Sequence, residues 1–97
     1  MPFNDDGSGR FTEAGINANA SARSGVYGIY NRDRWIYIGE TNNIHRRLLE
    51  HVRETATCIK RNAPTSFCYE LVDERSRVVR QDALIAELSP VCNIRFG

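Results

Sequence analysis

Five residues of this 97-residue chain carry side chains suited to acid–base or anion chemistry at intervals a small fold could close: Tyr27, Tyr37, Arg47, His51 and Asn93. A phenol or an imidazole can pass a proton, and a guanidinium can grip a phosphate with two parallel donors. Singly, each has a plainer reading. Paired tyrosines on a hairpin are usually packing, an arginine on a helix edge a solvated charge, and a histidine beside it an exposed one. An asparagine after a proline is usually turn chemistry, and His45 reads as a core-edge residue. Only their joint arrangement points to a site.

Other chemistries are missing. No glycine-rich phosphate loop, His-Glu-x-x-His or Gly-x-Ser-x-Gly string occurs. Cys58, Cys68 and Cys92 are odd in number, far apart and without metal-binding spacing. They read as free, mostly buried thiols of an intracellular protein. No apolar run is long enough to cross a membrane, and the start MPFNDDGSGR lacks the apolar core of a secretion signal. A formal net charge of +1 excludes a uniformly basic coat for nucleic acid but leaves room for a local patch. The charge is uneven: residues 32–61 hold seven Arg and Lys against four acids, and Lys60 is the only lysine of the chain.

These side chains need elements to position them. A chain of 97 residues, 41% hydrophobic, allows one domain around one core. Residues 1–23 are polar and rich in Gly, Ser, Asn and Ala, and read as an arm, disordered or holding a short helix; residues 24–97 read as the domain. The runs 26–30 and 35–38 read as strands joined by the turn Asn31-Arg32-Asp33-Arg34. A loop with an odd number of residues would set Tyr27 directly opposite Tyr37 on one face. Gly39 ends the second strand, and Asn42 or Asn43 caps a helix reaching about residue 57. Ile44, Leu48, Leu49, Val52 and Ala56 form its buried stripe, Arg46, Glu50, Arg53 and Glu54 pair on the far side, and Arg47 and His51 stack along one edge. A third strand covers 67–72, a second long helix 75–88 ends before Pro90, and 91–95 close the chain.

The second long helix holds an anomaly. Its apolar face, from Val78, Leu84, Ile85 and Leu88, centres on position 81, and Gln81 stands there. Such a glutamine is either bonded to nearby backbone or held in a polar site built over the sheet.

In order and spacing, Gly25-Val26-Tyr27, Tyr37-Ile38-Gly39, Arg47, His51 and Pro90-x-x-Asn93 resemble the GIY-YIG nuclease domain over residues 24–95. The literal string Gly28-Ile29-Tyr30 is not the motif, because it leaves the tyrosines only seven positions apart. The resemblance implies an α/β (α+β) fold, a three-stranded antiparallel sheet flanked by helices. It implies a DNA endonuclease hydrolysing phosphodiester bonds by Mg²⁺-assisted water attack, with one Mg²⁺ or Mn²⁺ per site. Tyr27 would act as base toward water, Tyr37 would share its network, Arg47 would hold the scissile phosphate, His51 would assist proton transfer and Asn93 would brace the site. Gly39 would let the backbone pass close, and Gly39, Arg34, Arg46, Lys60 and Arg61 would contact the substrate.

The family's metal-binding glutamate falls at position 81, counting back from Leu84-Ile85 and Pro90, where this chain has Gln81. Glutamine keeps a carbonyl oxygen and loses the charge that Mg²⁺ prefers, so cation binding and turnover are expected to be weak. An engineered Glu-to-Gln exchange leads the explanations. Beside it stand a natural variant that binds DNA without cutting and a ligand taken from Glu87 or Asp82. The expected function is thus an endonuclease inactivated at position 81; the alternative is a catalytically silent nucleic-acid-binding module. DNA is the expected partner and no membrane is involved. A DNA-reading domain or self-association would not be visible in these residues, and the expected location is intracellular, in the cytoplasm.

Overall fold

The computed structural model describes residues 2–93, so the expected closing segment runs past them at 94 and 95. Its elements are β1 (Gly7–Arg10), α1 (Glu13–Asn19), β2 (Gly25–Tyr30), β3 (Trp35–Thr41), α2 (Ile44–Arg53), α3 (Cys58–Arg61), β4 (Ser66–Leu71) and α4 (Arg77–Leu88). The aromatic and β-branched runs make the centre of the sheet, as their pleated packing favours.

The sheet has four strands in the order β1-β4-β2-β3, not three, and every pairing is antiparallel. The additional strand comes from residues 1–23. Gly7-Ser8-Gly9-Arg10 has little strand propensity, but it runs along the free edge of β4, with Gly7 opposite Tyr69 and Arg10 opposite Ser66. The Tyr69 ring occupies the place a side chain at Gly7 would take. Phe3, Phe11 and Ile16 from the same stretch are buried. Thr12 caps α1, its Oγ1 accepting from Gly15 N at 3.0 Å.

The β2–β3 register also differs from expectation. Tyr27 pairs with Gly39 and Ile29 with Tyr37, because the ladder slips between Ile29 and Tyr30 and Ile36 becomes an extra residue. The tyrosines are therefore diagonal neighbours on one face.

That face packs on α1 and α2 through Ile16, Tyr27, Ile29, Ile44, Leu48, Phe67 and Tyr69. The other face packs on α4 through Val26, Ile38, Cys68 and Leu84. A side chain such as Leu48, fully buried, contributes ~2 kcal/mol. Asn43 caps α2, its Oδ1 accepting from Arg46 N at 3.0 Å. The helix ends at Arg53, short of residue 57, and Ala56 is exposed in the left-handed region at φ 56° rather than buried in the stripe.

Two cysteine expectations are overturned. Cys58 and Cys92 are joined by a disulfide, with Cα atoms 5.8 Å apart, and only Cys68 is free. The 34 residues between the pair hid a proximity that the fold creates. Cys68 is buried, and burial pushes its thiol up to about 12.

On α4, Val78 is 54% exposed and not part of the buried face. Arginines take its place against the sheet: Arg77 Nε lies 2.7 Å from Glu40 Oε2, and Arg80 Nε 2.9 Å from Glu70 Oε2. No helix among the described residues is long and apolar enough to cross a membrane.

Candidate active site

The diagonal register brings the rings of Tyr27 and Tyr37 to 6.2 Å between centroids. Tyr27 is fully buried and leans across β3 over Gly39, where an added Cβ would collide with its phenol oxygen. A glycine at 39 thus makes the space that the first tyrosine fills.

His51 completes the cluster. It is 3% exposed, not the exposed histidine that is the usual reading at a helix edge. α2 turns that edge onto the hairpin, and the imidazole packs 5.6 Å from the Tyr27 ring and 5.3 Å from the Tyr37 ring. Tyr27 Oη and His51 Nε2 are 2.8 Å apart in a buried hydrogen bond.

Burial sets the protonation of the pair. It raises the Tyr27 phenol well above its ordinary range, aided by Tyr37 and opposed by Arg47, so Tyr27 is a neutral phenol. Burial, then the charge of Arg47, lowers His51 to about 4, so the imidazole is neutral at pH 7. The donor of this bond depends on the imidazole tautomer: with the ring proton on Nδ1, Tyr27 donates to Nε2. Among the described residues, His51 Nδ1 is buried without a hydrogen-bond partner, and Glu54 Oε2 stands 3.9 Å away, too far for a hydrogen bond.

Arg47 lies at the rim, its side chain 37% exposed, with Nη1 2.9 Å from Glu50 Oε1 and 3.6 Å from Glu54 Oε1. The expected pairing of Arg46, Glu50, Arg53 and Glu54 among themselves does not form. Arg53 reaches Glu13 at 3.1 Å, Arg46 donates to Asn42 Oδ1 at 2.8 Å, and both glutamates turn to Arg47. Glu54 is a neighbour the sequence reading missed; its signal was helical spacing, three residues after His51 and seven after Arg47.

Asn93 grips β3 at the residue between Tyr37 and Gly39. Its Oδ1 accepts from Ile38 N at 2.8 Å and its Nδ2 donates to Ile38 O at 2.8 Å. Cys92 N also donates to Ile36 O at 2.8 Å, so the C-terminal segment covers the open edge of β3.

The remaining expected residues lie elsewhere. Gln81 is on α4, across the sheet from α2, half-buried, with Nε2 donating to Asp82 Oδ1 at 3.3 Å. It follows Arg77, which pairs with Glu40 of β3, by one helical turn. Asp82 and Glu87 are exposed. Arg34, Lys60 and Arg61 gather at the β2–β3 turn, while Arg46 lies at the opposite end of the hairpin, beside Asn42. Among the described residues, no group of three or more His, Cys, Asp or Glu could hold a metal ion.

The profile described as the GIY-YIG catalytic domain matches residues 23–85. No curated protein sequence matches the chain. The fold is similar to crystal structures of the GIY-YIG N-terminal endonuclease domain of UvrC from Thermotoga maritima. A tyrosine-to-phenylalanine point mutant bound to its catalytic divalent cation is 25% identical, with a TM-score of 0.69 over 78% of this chain and 88% of that one. An asparagine-to-alanine point mutant, also cation-bound, is 25% identical with a TM-score of 0.65 over 78% and 88%. The magnesium-bound domain is 24% identical with a TM-score of 0.68 over 77% and 88%. The profile covers most of the chain, from residue 23 to 85, and the chain belongs to the GIY-YIG catalytic-domain family.

Proposed function

We propose that this chain is a DNA endonuclease domain whose proton-handling residues are assembled and whose turnover is held low by Gln81. The observation that carries the reading is the buried 2.8 Å contact between Tyr27 Oη and His51 Nε2. A phenol this hard to ionise is a poor phenolate base but a good relay. As a water oxygen bonds to phosphorus, its proton passes to Tyr27 Oη and the proton of Tyr27 passes to His51 Nε2. The leaving oxygen departs and takes a proton from solvent. The new imidazolium faces Glu54, 3.9 Å from Nδ1. Arg47 exchanges Glu50 for the scissile phosphate and offsets charge in the transition state. A phosphate beside Arg47 cancels the charge that depresses His51, so substrate itself makes the imidazole a better acceptor. Tyr37 orders the water with Tyr27, while Gly39 and Asn93 hold β3 in place. General-base catalysis of this kind is worth ~10²–10⁴-fold. Residues 24–97 carry the site on this reading, with β1 and α1 as its support.

The UvrC domains bind a catalytic divalent cation, magnesium in one structure. The residues of this chain do not fit a carboxylate-held cation. Position 81 offers a neutral amide already bonded to Asp82, and among the described residues no group of three or more His, Cys, Asp or Glu could hold a metal ion. Mg²⁺ or Mn²⁺ is therefore expected to bind weakly there. Binding without cutting is the second reading, favoured by that amide alone. The disulfide removes free thiols as a reason for an intracellular location, which now rests on DNA being the substrate.

The test is nicking of supercoiled plasmid with Mg²⁺ by Gln81→Glu. The reading expects cutting that Tyr27→Phe abolishes in the same background. Equal activity of the two proteins would remove it.

A further inference from the structure

Cations collect at one end of the sheet, away from the three-ring cluster. Arg10 closes β1 opposite Ser66, Ser66 faces Tyr30, and Tyr30 leads into the turn holding Arg32 and Arg34. The end of α3 lies against this turn: Asn31 Nδ2 donates to Asn62 O at 2.9 Å and to Ala63 O at 3.3 Å. Lys60 and Arg61 are on α3. All five cations are exposed, with Asp33 the acid of the same turn. Lys60 Nζ sits 5.9 Å from the Phe11 ring centroid, and Arg61 Nη1 donates to Ala56 O at 3.2 Å. Among the described residues neither charge has an ion-pair partner.

The local chain does not hold α3 by itself. One turn of helix is marginal alone, and α3 is bounded by Ala56 and Ala63, both left-handed at φ 56° and 53°. That conformation costs ~1 kcal/mol or more for a residue with a Cβ. The Cys58–Cys92 bond fixes the start of α3, and Asn62 Nδ2 donates to Cys58 O at 2.8 Å. Cys92 is itself bonded to Ile36 and precedes Asn93, which grips Ile38. The disulfide thus links the cationic element to the strand carrying Tyr37.

We infer that this end of the sheet is a second contact surface for the backbone of duplex DNA, locked in register with the hydrolytic face by the Cys58–Cys92 bond. The inference rests on the nucleic-acid reading above. Arg34 precedes Tyr37 by three residues, ~10 Å of strand at ~3.3 Å per residue, or about three phosphates of one DNA strand. A duplex engaged at Arg47 is long enough to reach it. When a dithiol gives up two electrons and two protons, the S–S bond breaks, Cys58 and Cys92 become thiols and the reductant becomes a disulfide. α3 then keeps only hydrogen bonds and packing, and Lys60 and Arg61 lose their fixed place. Cys68, buried with its thiol held protonated, takes no part.

The experiment is the salt dependence of binding to a blunt DNA duplex without metal, by oxidised full-length protein. Each lost phosphate contact flattens the log–log slope by ~0.9. Lys60→Ser/Arg61→Ser should flatten it by about two contacts, and reduction by dithiothreitol should reproduce that loss and reverse on reoxidation. Cys58→Ser/Cys92→Ser should behave as the reduced protein, with circular dichroism reporting its fold. Tight binding with slopes unchanged by either treatment overturns the inference and leaves the nuclease reading standing. A loss with the charge variant but not on reduction overturns the lock. Failure of the oxidised protein to bind DNA, or binding to duplex RNA alone, overturns both. Strong, redox-sensitive DNA binding with no cutting by Gln81→Glu upholds the surface and removes the nuclease.

Discussion

Gly39 stands directly opposite Tyr27 across the β2–β3 ladder, and the ring of Tyr27 fills the space where Gly39 has no side chain. The last residue of one motif half is therefore a packing requirement of the first tyrosine. Gly39→Ala would push the phenol off His51. It should cost ~1–3 kcal/mol, as overpacked cores do, visible as a lower denaturation midpoint. It should also abolish cleavage in a Gln81→Glu background. A midpoint and rate unchanged by the extra methyl would contradict this.

Acidification should weaken the fold through His51. The unfolded chain protonates this residue near 6.5, whereas the folded protein keeps it neutral down to about 4. Between those values the unfolded state binds the extra proton, so stability falls as pH falls from 6.5 toward 4 and loses nothing further from this group below that. At 1.36 kcal/mol per unit the full loss is about 3 kcal/mol. Urea unfolding at pH 7 and pH 4.5, compared with His51→Asn, isolates this share. An equal pH dependence in the two proteins would show that His51 titrates normally.

Asn93→Ala should free the C-terminal segment from the edge of β3. Two hydrogen bonds to Ile38 are lost, at a cost of ~1–3 kcal/mol. Hydrogen exchange at the Ile38 amide should accelerate; continued protection there would mean that another group covers the edge.

Glu70 is buried and accepts from Arg80 and from Asn4 N at 2.8 Å. Arg80→Leu should leave that carboxylate short of a partner at a cost of about 2–3 kcal/mol. This is below the range for fully buried pairs, because Arg80 is a third exposed. Adding Glu70→Leu should recover most of the loss; a double variant no better than the single would contradict this account.

The hairpin, the start of α2 and the spacing of Tyr27, Tyr37, Arg47, His51 and Asn93 were legible in the sequence, because hydrophobic period and capping residues are local signals. β1 was not. Gly7-Ser8-Gly9-Arg10 is a strand only because β4 offers an unpaired edge. The exact partner of Tyr27 was hidden by the slip at Ile36, and Cys58 and Cys92 meet only through the closed fold. Periodicity places Val78 on the buried face of α4, but Arg77 and Arg80 are the residues that meet Glu40 and Glu70 of the sheet, and Val78 stands in solvent. Gln81 was picked out by spacing, yet its place across the sheet from His51 needed coordinates.

The most direct test is single-turnover cleavage of a labelled DNA duplex in Mg²⁺ by the wild-type chain and by Gln81→Glu. If the Tyr27–His51 relay is already formed and only the charge at position 81 is missing, the glutamate should raise the rate ~100-fold or more, the scale on which a single electrostatic group acts at a transition state. A rate within about two-fold of wild type would contradict that account.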